Sequence, residues 1–427
     1  MDFPALTAVT RRNFLHLYAD SFWYGVQSGS HLAFLAIFAA RLGASSFEIS
    51  LLTAGPALVN FAFSLPTGRW LQGRDVIPAT FWASVAHRLF ILALIPLPLW
   101  WSNSVQIWGV VLITLVMAIP ATLLSIGFNA MFAELTPPDF RSLVVGRRNA
   151  ILALSLTGTV LGCGLLLDRL PFPLNYQLVF SLGALGAGMS TLHLGLLRAP
   201  DGHAPLRVNR LLGDWALPGM RRVGDALRTG VGLRFLLRRP GAGLRLDLIR
   251  GRTGRFMLAF LIFYIFQTFP APLFPLVTVR VLKLTDGQIS LGSGIFYLVM
   301  LLFSLQLARL TRRWGHHRML AISAMLYSLY PLLLGLARQV EAYWVASAVG
   351  GAVWALLNAA LLNRLMEITP EYDRPAYMAL HNLALNGGIL LGSLSGPALG
   401  ELLGLQEAVL IGAGLRFAAG LLLLRWG

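Results

Sequence analysis

A chain of 427 residues that is 56% hydrophobic and only 12% charged cannot give itself a water-facing surface; soluble domains carry about 25% charged residues. The net charge of +16 would suit a polyanion, but the basic residues sit in the loops between apolar runs, so no nucleic-acid partner is expected. One cysteine, Cys163, rules out an intramolecular disulfide.

Apolar runs near 20 residues, long enough to cross a hydrocarbon core about 30 Å thick, predict an all-α membrane protein. Twelve spans are read at 14–40, 48–69, 79–101, 105–133, 148–169, 177–198, 256–280, 287–309, 319–338, 342–365, 377–401 and 406–425. The N-terminal "MDFPALTAVTRRNFLHLY" has no apolar stretch ending in a small-residue cleavage site, so the first span is expected to be retained. That span holds "DSFWYGVQSGSH", Asp20 to His31, which puts an acid, an amide and an imidazole where lipid does not tolerate them. The third span carries His87 and Arg88 in "AHRLF", and the fifth carries "GTVLGCG". Residues 199–255 form the one long connection. Within it "GMRRVGDALRTGVGLRFLLRR", Gly219 to Arg239, alternates Leu, Val and Phe with Arg, a pattern suited to a helix on the membrane surface or to a solvated linker. The seventh span holds "IFYIFQTFP", the tenth Trp354 and Asn358, the eleventh His381, Asn382, Asn386 and "GSLSGPALG", and the twelfth Arg416.

The basic residues sort by side. One set of loops holds Arg11, Arg12, Arg69, Arg74, Arg141, Arg147, Arg148, Arg309, Arg312, Arg313, Arg318, Arg364, Arg374 and Arg425. The long connection adds twelve arginines against four aspartates. The opposite loops hold only Arg41, Arg169, Arg280, Lys283 and Arg338. Positive charge concentrates on the cytoplasmic side, so both termini and the long connection are expected there, against anionic lipid headgroups.

The two halves of the chain repeat. A shift of 240 residues aligns "EISLLTAGPALVNFAFSLPTGR", from Glu48, with "QISLGSGIFYLVMLLFSLQLAR", from Gln288, and ends on Arg69 against Arg309. A shift of 233 aligns "ELTPPDFR" (Glu134 to Arg141) with "EITPEYDR" (Glu367 to Arg374). The order of features is kept, which makes two six-helix units in the same orientation, a transporter architecture. The domains read as 1–198, a connecting loop 199–255, and 256–427.

This arrangement resembles the major facilitator superfamily of secondary transporters. The family's basic turn after the second helix of each half runs roughly Gly-x-Leu-Ala-Asp-Arg-x-Gly-Arg-Arg. The second half offers "ARLTRRWGHHR", with Leu310, Arg313 and Gly315 in place, and the first offers "GRWLQGRDV", with Gly68 in place. Gln72 and Arg312 stand where the family has the aspartate associated with gating. The Glu134/Arg141 and Glu367/Arg374 pairs, with Arg69 and Arg309, look like the cytoplasmic gate of sugar porters, and solvated loop charges would give the same pattern. "GSLSGPALG" is similar to the antiporter motif, but that motif belongs to the fifth helix. Small-residue spacing for close helix packing is the reading preferred for both glycine stretches.

The 240-residue shift also aligns Tyr24 with Tyr264 and Gln27 with Gln267, so each half carries Tyr-x-x-Gln on one face of its first helix. At about 1.5 Å per residue these pairs lie roughly 13–18 Å deep, near the midplane, where such transporters bind substrate. The resemblance implies that the first and fourth helices of each half line the cavity, which adds Trp354 and Asn358 as substrate-binding candidates. Structural bonds between helices are the alternative for the tyrosines and glutamines. Asp20 is the acid well inside a span; two roles fit it, a proton carrier or a fixed ion pair with Arg88. Arg416 has no evident acidic partner and either snorkels or meets substrate.

No phosphate-cradling loop, metal-ligand cluster or nucleophile elbow is present, so neither an enzyme nor a cofactor or metal site is expected. The expectation is a monomeric, multi-pass protein of the cell membrane that moves a small organic solute by alternating access, with a proton as the candidate coupling ion. The scarcity of buried charge favours a neutral or amphipathic solute over a polyanion. The resembled superfamily includes light-harvesting assembly proteins, so the alternative is a transport-inactive assembly factor or a lipid or pigment carrier.

Overall fold

A computed structural model describes residues 7–71, 74–100, 102–199, 251–306, 313–369 and 374–427. The arginine-rich stretch Gly219 to Arg239, with Gln72, Arg309 and Arg312, lies outside the described residues, as do the side chains of Arg69 and Arg374.

The described residues form twelve helical passes. In the first half these are α1 (Ala8–Gln27, a π-helical turn Ser28–Leu32, then Ala33–Arg41), α2 (Ser46–Leu71) and α3 (Val76–Leu92), followed by α4 (Asn103–Leu135), α5 (Pro138–Arg169) and α6 (Leu174–Gly195). The second half has α7 (Gly251–Thr268, Leu273–Leu276, then a π-helical turn Val277–Val281), α8 (Asp286–Ser304) and α9 (His316–Leu326 and Leu329–Leu336). It closes with α10 (Val340–Ile368), α11 (Arg374–Leu403) and α12 (Leu405–Trp426).

Several helices outrun their apolar cores. α1 starts at Ala8, capped by Thr7, whose hydroxyl accepts from the Thr10 amide at 3.2 Å. α5 starts at Pro138, not at 148, because proline is preorganised for the first turn, where an amide proton has no partner to lose. This moves Arg148 from a loop into a helix. Two helices read as continuous are interrupted: α1 by its π turn, and α7 where Pro270 and Pro272 each lack an N–H for the ladder.

Eleven passes are long and apolar enough to cross a membrane. α1 is the polar one. Its Asp20, Gln27, Ser30 and His31 are all buried against neighbouring helices, while Phe22 and Leu32 are exposed. Polar groups in a membrane helix must find partners inside the protein, so this polar stripe fixes which side of α1 turns inward.

Packing follows the sequence repeat. In the first half α1 packs on α5 and α6, α2 on α4, and α3 on α4 and α6. In the second, α7 packs on α11 and α12, α8 on α10, and α9 on α10 and α12. The halves meet through α5 with α8 and α2 with α11, a pairing that maps onto itself when the halves are exchanged. Gly164 of α5 lies so close to Ser290 of α8 that a Cβ would overlap its side chain.

Among the described residues the buried apolar side chains form three clusters. One is shared by both halves and joins Phe38, Val160, Cys163 and Phe180 to Leu276, Ile289, Tyr343 and Val409. The other two each belong to one half, around Phe14, Val76, Met131 and Val144 and around Phe260, Leu320, Leu357 and Leu423. The shared cluster lies toward the turns at 42–45, 170–173 and 282–285, and the separate clusters toward the opposite face. The halves are therefore fused by one core at one face and hold their own cores at the other.

Candidate functional site

The repeated glutamines stand where the first helix of each half is interrupted. Gln27 is the last residue of the regular part of α1 before the π turn, and Gln267 is the penultimate residue of the first segment of α7. π turns and broken helices concentrate at functional sites because they free backbone groups at depth. Both Gln27 and Gln267 have an enclosed Oε1 without a hydrogen-bond partner among the described residues. Sequence reading placed the two glutamines together but missed the interruptions, although the Ser-Gly-Ser after Gln27 and the two prolines after Gln267 are their local signal.

The repeat is not kept at the tyrosines. Tyr24 is 43% exposed, while Tyr264 is buried and its hydroxyl lies 2.8 Å from His381 Nε2 on α11. Trp354 packs against Tyr327, between the two segments of α9, with ring centroids 5.3 Å apart and the planes tilted by 36°, and Asn358, one turn on, is exposed. Asn386 donates to the Asn382 carbonyl at 2.9 Å.

The charged centre of the first half differs from the expected pair. Asp20 takes a hydrogen bond from Ser190 Oγ at 2.5 Å and forms its direct ion pair with Arg148 at 3.4 Å. Arg88 is one hydroxyl removed: it donates to Ser190 Oγ at 2.8 Å and to Thr191 Oγ1 at 2.5 Å. Arg148 also donates to Ser21 Oγ at 2.9 Å and lies over the Phe128 ring at 4.6 Å. One buried network thus ties α1, α3, α4, α5 and α6. Sequence reading missed Arg148 because it counted that residue with the loop charges.

Arg416 does not snorkel. It is 2% exposed, inside the second half. Its Nε donates to the Gln267 carbonyl at 3.0 Å, a terminal nitrogen donates to the same oxygen, and its guanidinium lies over the Tyr327 ring at 4.5 Å.

At the fused face the halves exchange arginines. Arg41, at the end of α1, reaches Leu284 O at 2.5 Å and Asp286 at 3.1 Å, while Arg280, at the end of α7, reaches Ala44 O at 2.5 Å. Tyr176 donates to Asp286 at 3.2 Å. Asp168 of α5 caps the start of α8, accepting from Thr285 Oγ1 at 2.8 Å and the Gly287 amide at 2.9 Å. On the other face, Arg141 donates to the Thr136 carbonyl at 3.0 Å and also to that of Ala133, and Glu367 pairs with Arg364 of its own helix at 2.9 Å.

Residues 256–427 match the family model described as Major Facilitator Superfamily. Over the whole length, the chain is similar to the nucleoside transporter NupG, at 13% identity and a TM-score of 0.68, covering 97% of this chain and 98% of that one. The chain has the major facilitator fold. A D-xylose–proton symporter superposes with a TM-score of 0.67 at 15% identity over 97% of this chain and 96% of its own. A bacterial homologue of the iron transporter ferroportin, in an inward-facing state, gives 0.69 at 13% identity over 99% of both chains. No curated protein matches the chain by sequence. In major facilitator terms, Gln27 and Gln267 lie on the first helix of each half, and the arginine exchange lies at the ends of those same two helices.

Proposed function

We propose that the protein is a secondary transporter that carries a small organic solute across the cell membrane by alternating access. The reciprocal arginine exchange is the observation that carries this reading. It adds polar, partly exposed bonds to the shared apolar core that joins the halves at one face, while the apolar cores at the opposite face stay separate. The arginine distribution assigns the separated face to the cytoplasm, with anionic headgroups around it. On this reading the solute enters between the halves from that face to reach Gln27, Gln267 and Trp354. When that face closes, Glu134, Arg141, Glu367 and Arg374, with Arg69 and Arg309, form its gate. The protein works as a monomer and needs no cofactor.

The departures of Gln72 and Arg312 from the family turn favour a second reading, a fixed scaffold for assembly. Access decides between them. A single cysteine, Asn358→Cys in a Cys163→Ala background, is labelled in oriented vesicles with a membrane-impermeant maleimide. A transporter is labelled from the cytoplasmic face, and Arg41→Ala/Arg280→Ala shifts labelling toward the outer face. A scaffold keeps the same labelling in both backgrounds, and that result sinks the transport reading.

A further inference from the structure

The charges buried between the two faces do not balance. Among the described residues, Asp20 is the carboxylate there, and it serves two guanidiniums, Arg148 directly and Arg88 through Ser190. Arg416 has no acidic partner among the described residues. An unpaired buried cation is costly unless something nearby supplies negative charge.

The break in α7 supplies part of it. The Ala271 amide turns back to the Thr268 carbonyl at 3.1 Å, so the Gln267 carbonyl is left without its ladder partner. That carbonyl belongs to a helix C-terminus, where unpaired oxygens carry partial negative charge. Arg416 caps it with Nε and one terminal nitrogen. The other terminal nitrogen, Nη1, is enclosed and has no acceptor among the described residues. Gln267, whose carbonyl Arg416 caps, also has an enclosed side-chain Oε1 without a partner among the described residues. Tyr327, under the guanidinium, packs against Trp354. An orphaned donor of Arg416, the Gln267 it caps and an aromatic pair under the guanidinium come together here, and Gln267 and Trp354 are residues the transport reading already assigns to the solute.

We propose that Arg416 is an anion subsite of the transport site. The solute is an amphipathic organic monoanion. Its carboxylate, or a comparable group, accepts from Arg416 Nη1 beside the Gln267 amide, and its apolar body lies against Trp354 and Tyr327. One unpaired guanidinium sets one negative charge. This assignment rests on the transport reading for its biological meaning.

The test uses the purified full chain and three matched sets of probes: benzoate and hexanoate, their neutral amides, and the corresponding amines benzylamine and hexylamine. A ligand of the native state raises its melting temperature by mass action. The acids are expected to raise it in a dose-dependent way, and the amides and amines to leave it unchanged. Arg416→Gln is expected to shift the midpoint concentration at least ~10-fold upward, since a charge-assisted bond is lost. Arg416→Lys keeps the charge and is expected to keep the preference for acids at weaker affinity. It carries the comparison if the glutamine variant does not fold. Arg425→Gln, on the exposed last turn of α12, is expected to behave as wild type. Equal shifts with acids and amides, no shift with any acid, or an acid-selective shift retained in Arg416→Gln each overturn the subsite. Cysteine accessibility needs no ligand, so access that alternates without any acid response removes the subsite and leaves the transport reading standing.

Discussion

A carboxylate that touches one guanidinium and is one hydroxyl away from another is held in place only while it is ionised. Asp20 is so placed, between Arg148 at 3.4 Å and the Ser190 hydroxyl that also receives Arg88. Asp20→Asn imitates the protonated acid without changing its shape, and it separates the two roles the sequence left open. If the ion pair holds the first half together, the substitution strands two buried cations and costs about 3 kcal/mol, read as a lower midpoint in chemical or thermal unfolding. If Asp20 carries a proton in this state, Asn leaves the midpoint nearly unchanged and abolishes coupling instead. The geometry favours the first outcome. Ser190→Ala is expected to act in the same direction at about 1–3 kcal/mol, because it removes the hydroxyl that connects Asp20 to Arg88. That Asp20 would be buried with a cationic partner was legible in the sequence, since it is an acid inside an apolar span. The identity of that partner was not. Arg148 is close to Asp20 only because α5 begins at Pro138 and packs on α1, and neither fact follows from local hydropathy.

The helices themselves were legible because twenty apolar residues in a row have few other solutions, and their close packing left a second trace in glycine. Gly396 of α11 faces the backbone of α7 so closely that a Cβ would overlap the Phe269 carbonyl, and Gly392 faces the Ile265 carbonyl in the same way. Backbone cannot rotate out of the way as a side chain can. Gly396→Ala is therefore expected to cost about 1–3 kcal/mol or to prevent assembly. Gly158 of α5 belongs to a similar-looking stretch, yet a Cβ there would meet nothing within 4 Å. Gly158→Ala should be neutral or stabilising by up to about 1 kcal/mol through helix propensity alone. Melting temperatures of the two variants side by side check the pair, and equal losses would mean that helix contacts do not set the difference. The interruptions after Gln27 and Thr268 escaped the sequence reading for a physical reason. A π turn changes which carbonyl each amide meets without changing hydropathy, and membrane helices tolerate proline when neighbours satisfy the freed groups. Here Arg416 does so for α7, from a helix 149 residues further along the chain.

At the scale of the molecule, the repeat in sequence reappears as a repeat in packing, and this fixes what joins the halves. The α5–α8 and α2–α11 pairs, the shared core around Val160, Cys163, Leu276 and Ile289, and the exchanged arginines all lie between helices. The interface needs no covalent link to form. Residues 1–198 and 256–427, produced together as separate chains, are therefore expected to co-purify and to melt in a single transition near that of the intact protein. Each chain alone leaves the shared core half built, with Cys163 and Val160 uncovered in one fragment and Leu276 and Ile289 in the other, and is expected to be recovered poorly. A covalent link raises the effective concentration of the parts it joins, so the split protein should be more sensitive to dilution than the intact one. Fragments that fold alone and separate on purification would show that the connection, not the interface, keeps the halves together. Such an outcome would also weaken alternating access, because halves that rock against each other must stay together while the bonds at one face open.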